Sequence, residues 1–280
     1  MPDTLITKAS GAQVPFDRSK LAASLSRAGA LPETVDAIVA EIEAELLPGM
    51  ETGRIYHKAF ALLRRQSRPT AARYKLKRAI QEMGPTGFPF EKFVGELLRA
   101  RGYTVQVGQV MAGACVSHEV DVLADNAERR LAIECKFGNS RDKKIDIKTA
   151  LYVHARVLDL ARGWHQTPNL AHKQVEAWIV TNGVFSSDAI KYGACAGMNL
   201  VSWDYPARGN LKDLVEQPGL YPLTILVSLT KAEKQYLLDQ GIVLGADLQR
   251  HPEWLDPLHL SKNKRRNVLD ELDALCQAPS

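Results

Sequence analysis

The chain has 280 residues, 45% of them hydrophobic, with 36 lysines and arginines against 32 aspartates and glutamates, a formal net charge of +4. With 19 glycines and 14 prolines, this composition excludes a collagen-like, linker-type or wholly disordered protein. No run reaches the roughly 18 apolar residues of a bilayer span, the start lacks the order of a signal peptide, and the four cysteines (115, 135, 195 and 276) form no CxxC pair. The expectation is a cytoplasmic chain of two or three domains, without disulfides, zinc or membrane contact.

Alternation and the Ser10-Gly11 turn predict a hairpin pairing Leu5 to Lys8 with Gln13 to Phe16. Asp17 is placed to cap a helix carrying Leu21, Leu25 and Ala28, and Pro32 opens a second through Val35, Ile38, Val39 and Ile42. Thr52 is placed to cap a third, and Thr70 a fourth that runs to about Glu82, before Gly84-Pro85-Thr86-Gly87 breaks the chain. A hairpin and four helices thus fill residues 1–86. Residues 52–81 hold nine cations and no acid after Thr52. That window reads either as an anion-facing surface or as solvated helix faces balanced by Glu41, Glu43 and Glu45.

From 87 to 206 the order becomes α/β: a helix with Phe90, Val94, Leu97 and Leu98 on one face, a strand from Tyr103, and a hairpin of Val120 to Leu123 with Leu131 to Phe137. A helix over 149–161, a strand over 177–181, a helix over 187–196 and a strand over 199–203 follow, predicting a mixed sheet flanked by helices. Residues 207–280 read as a linker and a small helical module, with Thr230 and Glu233 placed as a capping box and a last helix from Ser261. Lys262, Lys264, Arg265 and Arg266 in its first turns oppose the helix dipole, so they either await a phosphate or are solvated.

The sharpest constellation is Asp121 in VSHEVDVLA followed by Glu134 and Lys136 in LAIECKF. Residues two apart share a strand face. If Val122 pairs with Ile133 and Val120 with Cys135, Asp121 lies directly opposite Glu134, with Cβ atoms about 5 Å apart. Opposed carboxylates destabilise a sheet unless a cation joins them, and Mg²⁺ uses one or two carboxylates plus substrate phosphate. Lys136 on the same face can act on a water or on phosphoryl charge. Glu91 shares a helix face with Val94 and Leu98, which draws it toward the sheet. The alternative is a hairpin with ordinary surface charges.

These residues resemble the PD-(D/E)xK nucleases of the restriction-endonuclease-like Mrr group, over FEKFVGELLRARGYTV, HEVDVLA, LAIECKFG and AWIVTNGVFSSDAIKYGACAGMNLVSWD. The resemblance implies Mg²⁺- or Mn²⁺-dependent hydrolysis of DNA, with Asp121 and Glu134 as metal ligands, Lys136 as catalytic lysine and Glu91 as a helix-borne acid. Many Mrr-like sequences carry glutamine where Glu134 stands. His118, three positions before Asp121, reads as structural or phosphate-contacting rather than as a ligand.

The opening ITKASGAQVPFDRSKLAASLSRAG resembles an ATP-cone, the allosteric module at the front of ribonucleotide reductases and in their transcriptional repressor. That resemblance implies Lys8 and Lys20 near a triphosphate and Thr52 near the base or phosphates of ATP or dATP. A lysine-flecked helical bundle that merely packs is the alternative. The segment LTKAEKQYLLDQGI with LHLSKNKRRNVLDELDALC resembles helix-hairpin-helix modules in outline. Together these readings predict a nucleotide-regulated, metal-dependent DNA endonuclease that pairs as a homo-oligomer. The competing prediction is a catalytically silent DNA- or nucleotide-binding regulator on a nuclease scaffold.

Overall fold

The computed structural model of the chain describes residues 4–8, 10–138 and 144–276. Strands β1 (Leu5–Thr7) and β2 (Gln13–Pro15) form the expected hairpin, with Ile6 opposite Val14. Asp17 caps α1 (Arg18–Arg27) by accepting from the Lys20 amide, and α2 spans Pro32–Ala44. Helix α3 (Thr52–Gln66) is capped by Glu51 without a side-chain bond, so Thr52 is its first helical residue rather than its cap.

The expected fourth helix is two. Ser67, not Thr70, is the cap, taking the Thr70 amide, and α4 (Arg68–Tyr74) ends at Lys75, from which α5 (Leu76–Gln81) leaves. The division follows packing: Ala71 joins the core of α1 to α3, whereas Ala72, Leu76, Ala79, Ile80 and Met83 join the central core. No periodicity read along a single helix reports such a change of partner.

Helix α6 (Phe88–Arg99) lies against the sheet formed by β3 (Thr104–Ala112), β4 (Ser117–Asp125), β5 (Arg129–Lys136), β7 (Gln174–Thr181) and β9 (Asn199–Val201), in that spatial order. The first two pairings are antiparallel and the last two parallel, giving a mixed sheet. A two-stranded element pairs β6 (Lys144–Ile145) with β8 (Val184–Phe185). Helices α7 (Ile147–His165) and α8 (Ser187–Cys195) cover the face opposite α6, each capped by a side chain, Asp146 and Ser186.

The C-terminal helices α9 (Leu211–Glu216), α10 (Lys231–Asp239), α11 (Gly245–Arg250) and α12 (Lys262–Cys276) share their core with α6, through Leu237, Leu248, Val268 and Leu272. The Thr230–Glu233 capping box forms as expected. Lys264 binds both Glu233 oxygens at 2.7 Å, and Arg265 binds Asp256 and the Pro252 carbonyl. Two of the four basic residues in that first turn are therefore partnered within the chain. No helix among the described residues is long and apolar enough to cross a membrane.

Candidate active site

Strands β4 and β5 are paired from Asp125–Arg130 up to Val122–Ile133, and there the ladder ends. The two strands then separate: β4 stays with β3 as far as Ser117, while β5 stays with β7 as far as Lys136. The expected direct opposition of Asp121 and Glu134 is therefore not continued as a ladder pair. In its place the Asp121 carboxylate accepts the Cys135 amide at 2.7 Å. A side chain has taken the position of a ladder carbonyl.

A second irregularity lies one strand away. Gly108 adopts φ +64°, a conformation glycine tolerates and other residues rarely adopt, and the position where it meets Asp121 is skipped in the β3–β4 ladder. At the same point Val120 packs with α7 and Val122 with α6, although a regular strand would put both on one face. The fork opens at Asp121.

On β5 the expected alternation holds: Ile133 and Cys135 enter the α6-side core, and Glu134 and Lys136 point away from it. Glu134 is 5% exposed, its two oxygens taken by Lys136 and by Arg156 of α7. Arg156 also donates to the Glu119 carbonyl at 3.0 Å and lies over the Tyr152 ring. Arg156 and Glu119 were not found from the sequence. The signal for Arg156 was its place beside Val153 and Val157 on the buried stripe of α7, where an unpaired cation would be costly.

Glu91 is half-buried in the first turn of α6, and its charge is felt by the same group. Burial first, then repulsion by Asp121, Glu119 and Glu134, lifts its carboxyl to about 7. Burial, then Glu134, lifts Asp121 to about 6, against the Cys135 bond and the cations Lys136 and Arg156. All four expected residues thus gather at the fork, two of them with poorly tolerated negative charge. His118 is drawn elsewhere, to Asp159 of α7 at 2.8 Å, and Asp159 also takes the Cys115 and Val116 amides. It pins the β3–β4 tip to α7.

Raised carboxyls carry a stability signature. Glu91 contributes stability that is present below its unfolded value, near 4.5, and lost as pH rises through about 7. Glu91→Gln is therefore expected to stabilise the metal-free chain by about 1–2 kcal/mol at pH 8, discounted for partial exposure, and by nothing measurable at pH 4. Thermal melts at the two values check this, and equal shifts at both would refute the assignment.

Among the described residues no three His, Cys, Asp or Glu side chains form a closed cation cage. The donor set nonetheless suits a hard divalent ion, which takes one or two carboxylates and completes its sphere with water and phosphate. Asp121 and Glu134 are the residues that could hold it, with Glu134 leaving its present cations.

A separate cleft of about 950 Å³ lies under the hairpin, and Lys8, Lys20 and Thr52 all line it, with Phe16 and Tyr56. Lys20 bridges to Asp17 at 3.2 Å and is otherwise exposed. Of the basic window, Lys58 pairs with Glu41 and Glu45, and Lys75 and Arg78 pair with Glu82. That much of it is charge-balanced within the chain.

Two family profiles match the chain: a restriction endonuclease profile over residues 80–206 and an AF1548-like C-terminal profile over residues 221–276. An uncharacterized protein of Archaeoglobus fulgidus is 35% identical over 179 residues, 64% of this chain and 97% of its own length. The chain belongs to the AF1548-like family. The crystal structure of a protein of unknown function, AF1548, is similar in fold, with a TM-score of 0.54 and 32% identity over 69% of this chain and all of that one. The central domain is thereby restriction-endonuclease-like, and the forked sheet with Asp121, Glu134 and Lys136 lies within the matched segment.

Proposed function

We propose that this chain is a nucleotide-regulated, divalent-metal-dependent endonuclease that hydrolyses phosphodiester bonds of DNA. Residues 87–206 carry the chemistry, residues 1–86 act as an ATP-cone that senses adenine nucleotide, and residues 207–280 buttress the core. One observation carries the catalytic reading: Asp121 and Glu91, with carboxyls raised to about 6 and 7, are gathered with Glu134 and Lys136 where the sheet forks. A scaffold gains nothing from negative charge concentrated beside a partly buried lysine, whereas a phosphodiesterase gains a cation site.

Asp121 and Glu134 would hold Mg²⁺ or Mn²⁺, which when bound neutralises phosphate charge and acidifies water. Asp121 is held in place by the Cys135 amide, so its free oxygen has a fixed direction. Lys136 is 37% exposed and stands at the strand end, where its ammonium can give a hydrogen bond to a phosphoryl oxygen or orient a water. Glu91, half protonated near neutral pH, can hold or return a proton in that turn. Cleavage of supercoiled plasmid by the full chain with Mg²⁺ or Mn²⁺, with and without ATP or dATP, tests the proposal. No cleavage under any of these conditions, with folding intact, would favour the silent regulator.

The sensing reading is supported by Lys8, Lys20 and Thr52 lining one cleft of nucleotide size. A charge-assisted contact contributes about 1.5–3 kcal/mol, so Lys20→Ala is expected to weaken ATP or dATP binding at least tenfold and to spare basal cleavage. Duplex cutting needs two active sites, so nucleotide would act by changing how copies pair, which requires different affinity for the two assembly states. Light scattering with saturating nucleotide checks this. Constant mass and constant cleavage rate, with binding confirmed, would leave the cleft without a regulatory role.

A further inference from the structure

A second cleft, of about 340 Å³, lies where the N-terminal helices meet the catalytic body. Its N-terminal wall carries Arg27 of α1, Arg73 of α4, and Lys77 and Arg78 of α5; the opposite wall carries Lys212 and Glu216 of α9. Five cations therefore face one carboxylate among the described lining residues. Glu216 is engaged with Lys212 at 3.3 Å, and Arg78 with Glu82 at 3.0 Å. Arg27 and Arg73 have no carboxylate within ion-pair distance among the described residues; Arg73 donates one Nη to the Ala274 carbonyl at 3.4 Å, and its buried Nε makes no hydrogen bond.

Packing alone does not account for this. Like charges confined between two walls repel, and a buried guanidinium N–H without an acceptor costs free energy that a ligand oxygen would recover. Guanidinium groups match phosphate geometry, and pocket walls of aromatic character suit a flat ligand group. Tyr56 and Tyr74, with rings stacked 5.1 Å apart, form the back of this cleft and also line the hairpin cleft, while Trp203 stands on the catalytic side under the Lys77 ammonium. The volume falls in the range of small-molecule sites and is far below what a duplex needs.

We propose that this seam binds a small phosphorylated ligand, between pyrophosphate and a nucleotide in size, whose phosphates bridge Arg27 and Arg73 to Lys212. Lys212 belongs to α9, whose Leu211 amide bonds to the Ser202 carbonyl at 2.8 Å just after β9, the last strand of the catalytic sheet. Occupancy therefore ties the N-terminal helices to the catalytic body. This site is separate from the fork residues and does not require that the hairpin cleft hold nucleotide.

Calorimetry on the full chain at near-physiological salt, with inorganic pyrophosphate and separately with ATP, tests it. Saturable pyrophosphate binding is expected, weakened at least tenfold by Arg27→Ala with Lys212→Ala. It should change less than twofold in Arg54→Ala with Arg65→Ala, which removes the same charge from exposed positions outside the cleft. Lys20→Ala should leave it intact, and its loss there would assign the binding to the hairpin cleft and overturn the proposal. No saturable binding of either probe, equal weakening by the control pair, or displacement by a short DNA duplex would also overturn it. Should the Arg27 and Lys212 variant not fold, hydrogen exchange on the unaltered chain decides. Pyrophosphate must slow exchange at the end of α1 and in α9 together, and protection of neither counts against the site.

Discussion

Asp121→Asn, Glu134→Gln and Lys136→Ala are each expected to reduce metal-dependent plasmid cleavage by at least a thousandfold, the scale on which a removed charge-stabilising group acts at a reacting centre. The choice of substituent matters. Asp121→Ala would leave the Cys135 amide without its acceptor and cost about 1–3 kcal/mol of stability, which confounds chemistry with folding. Asparagine keeps a side-chain oxygen for that amide, whereas glutamine at 134 keeps one acceptor where Glu134 offers two, so it pairs with Arg156 or Lys136 but not with both. Titration of Mg²⁺ by calorimetry separates the roles: both carboxamide variants should lose affinity, and Lys136→Ala should keep it. Unchanged Mg²⁺ affinity in both carboxamide variants would sink the ligand assignment. Glu91→Gln should lower cleavage by less than these, since a helix-borne acid more readily holds a water than the ion.

The shared face of Glu134 and Lys136 was legible because strand alternation is a local rule. Glu134 and Lys136 had to share a face once Ile133 and Cys135 were assigned to the core, and the mixed sheet followed from the order of strand and helix signals. The exact meeting of Asp121 with Glu134 was not legible, because it rested on extending a regular ladder past Val122. The interruption coincides with a positive φ at Gly108, a residue of a third strand, and with a side chain taking the Cys135 amide in place of a carbonyl. Helix caps erred in the same way. Thr52 and Thr70 are good capping residues, yet Glu51 and Ser67 precede the first helical turns because tertiary partners fix where those turns begin. Local chemistry proposes a boundary and packing selects it.

Arg156 shows what a sequence without partners cannot display, and it yields the remaining large effect. Glu134 is nearly inaccessible to water and depends on two cations, of which Arg156 is the more buried, with 12% of its side chain exposed against 37% for Lys136. Removing one partner from a buried pair costs about 3–5 kcal/mol when the other charge is stranded. Here Lys136 remains, so Arg156→Ala is expected to cost about 2–3 kcal/mol in metal-free buffer, or roughly 5 °C in Tm for a chain of this size. A bound divalent cation would take over the neutralisation of Glu134. Saturating Mg²⁺ should therefore raise the Tm of Arg156→Ala by more than it raises that of the unaltered chain, and Arg156→Lys should fall between the two. Cleavage by Arg156→Ala should also need less Mg²⁺ for half-maximal rate, because the metal no longer competes with a guanidinium for the same oxygen. If the Mg²⁺-induced shifts are equal in the two proteins, Arg156 and the metal do not share Glu134, and the cation site must be built on Asp121 with Glu91 instead.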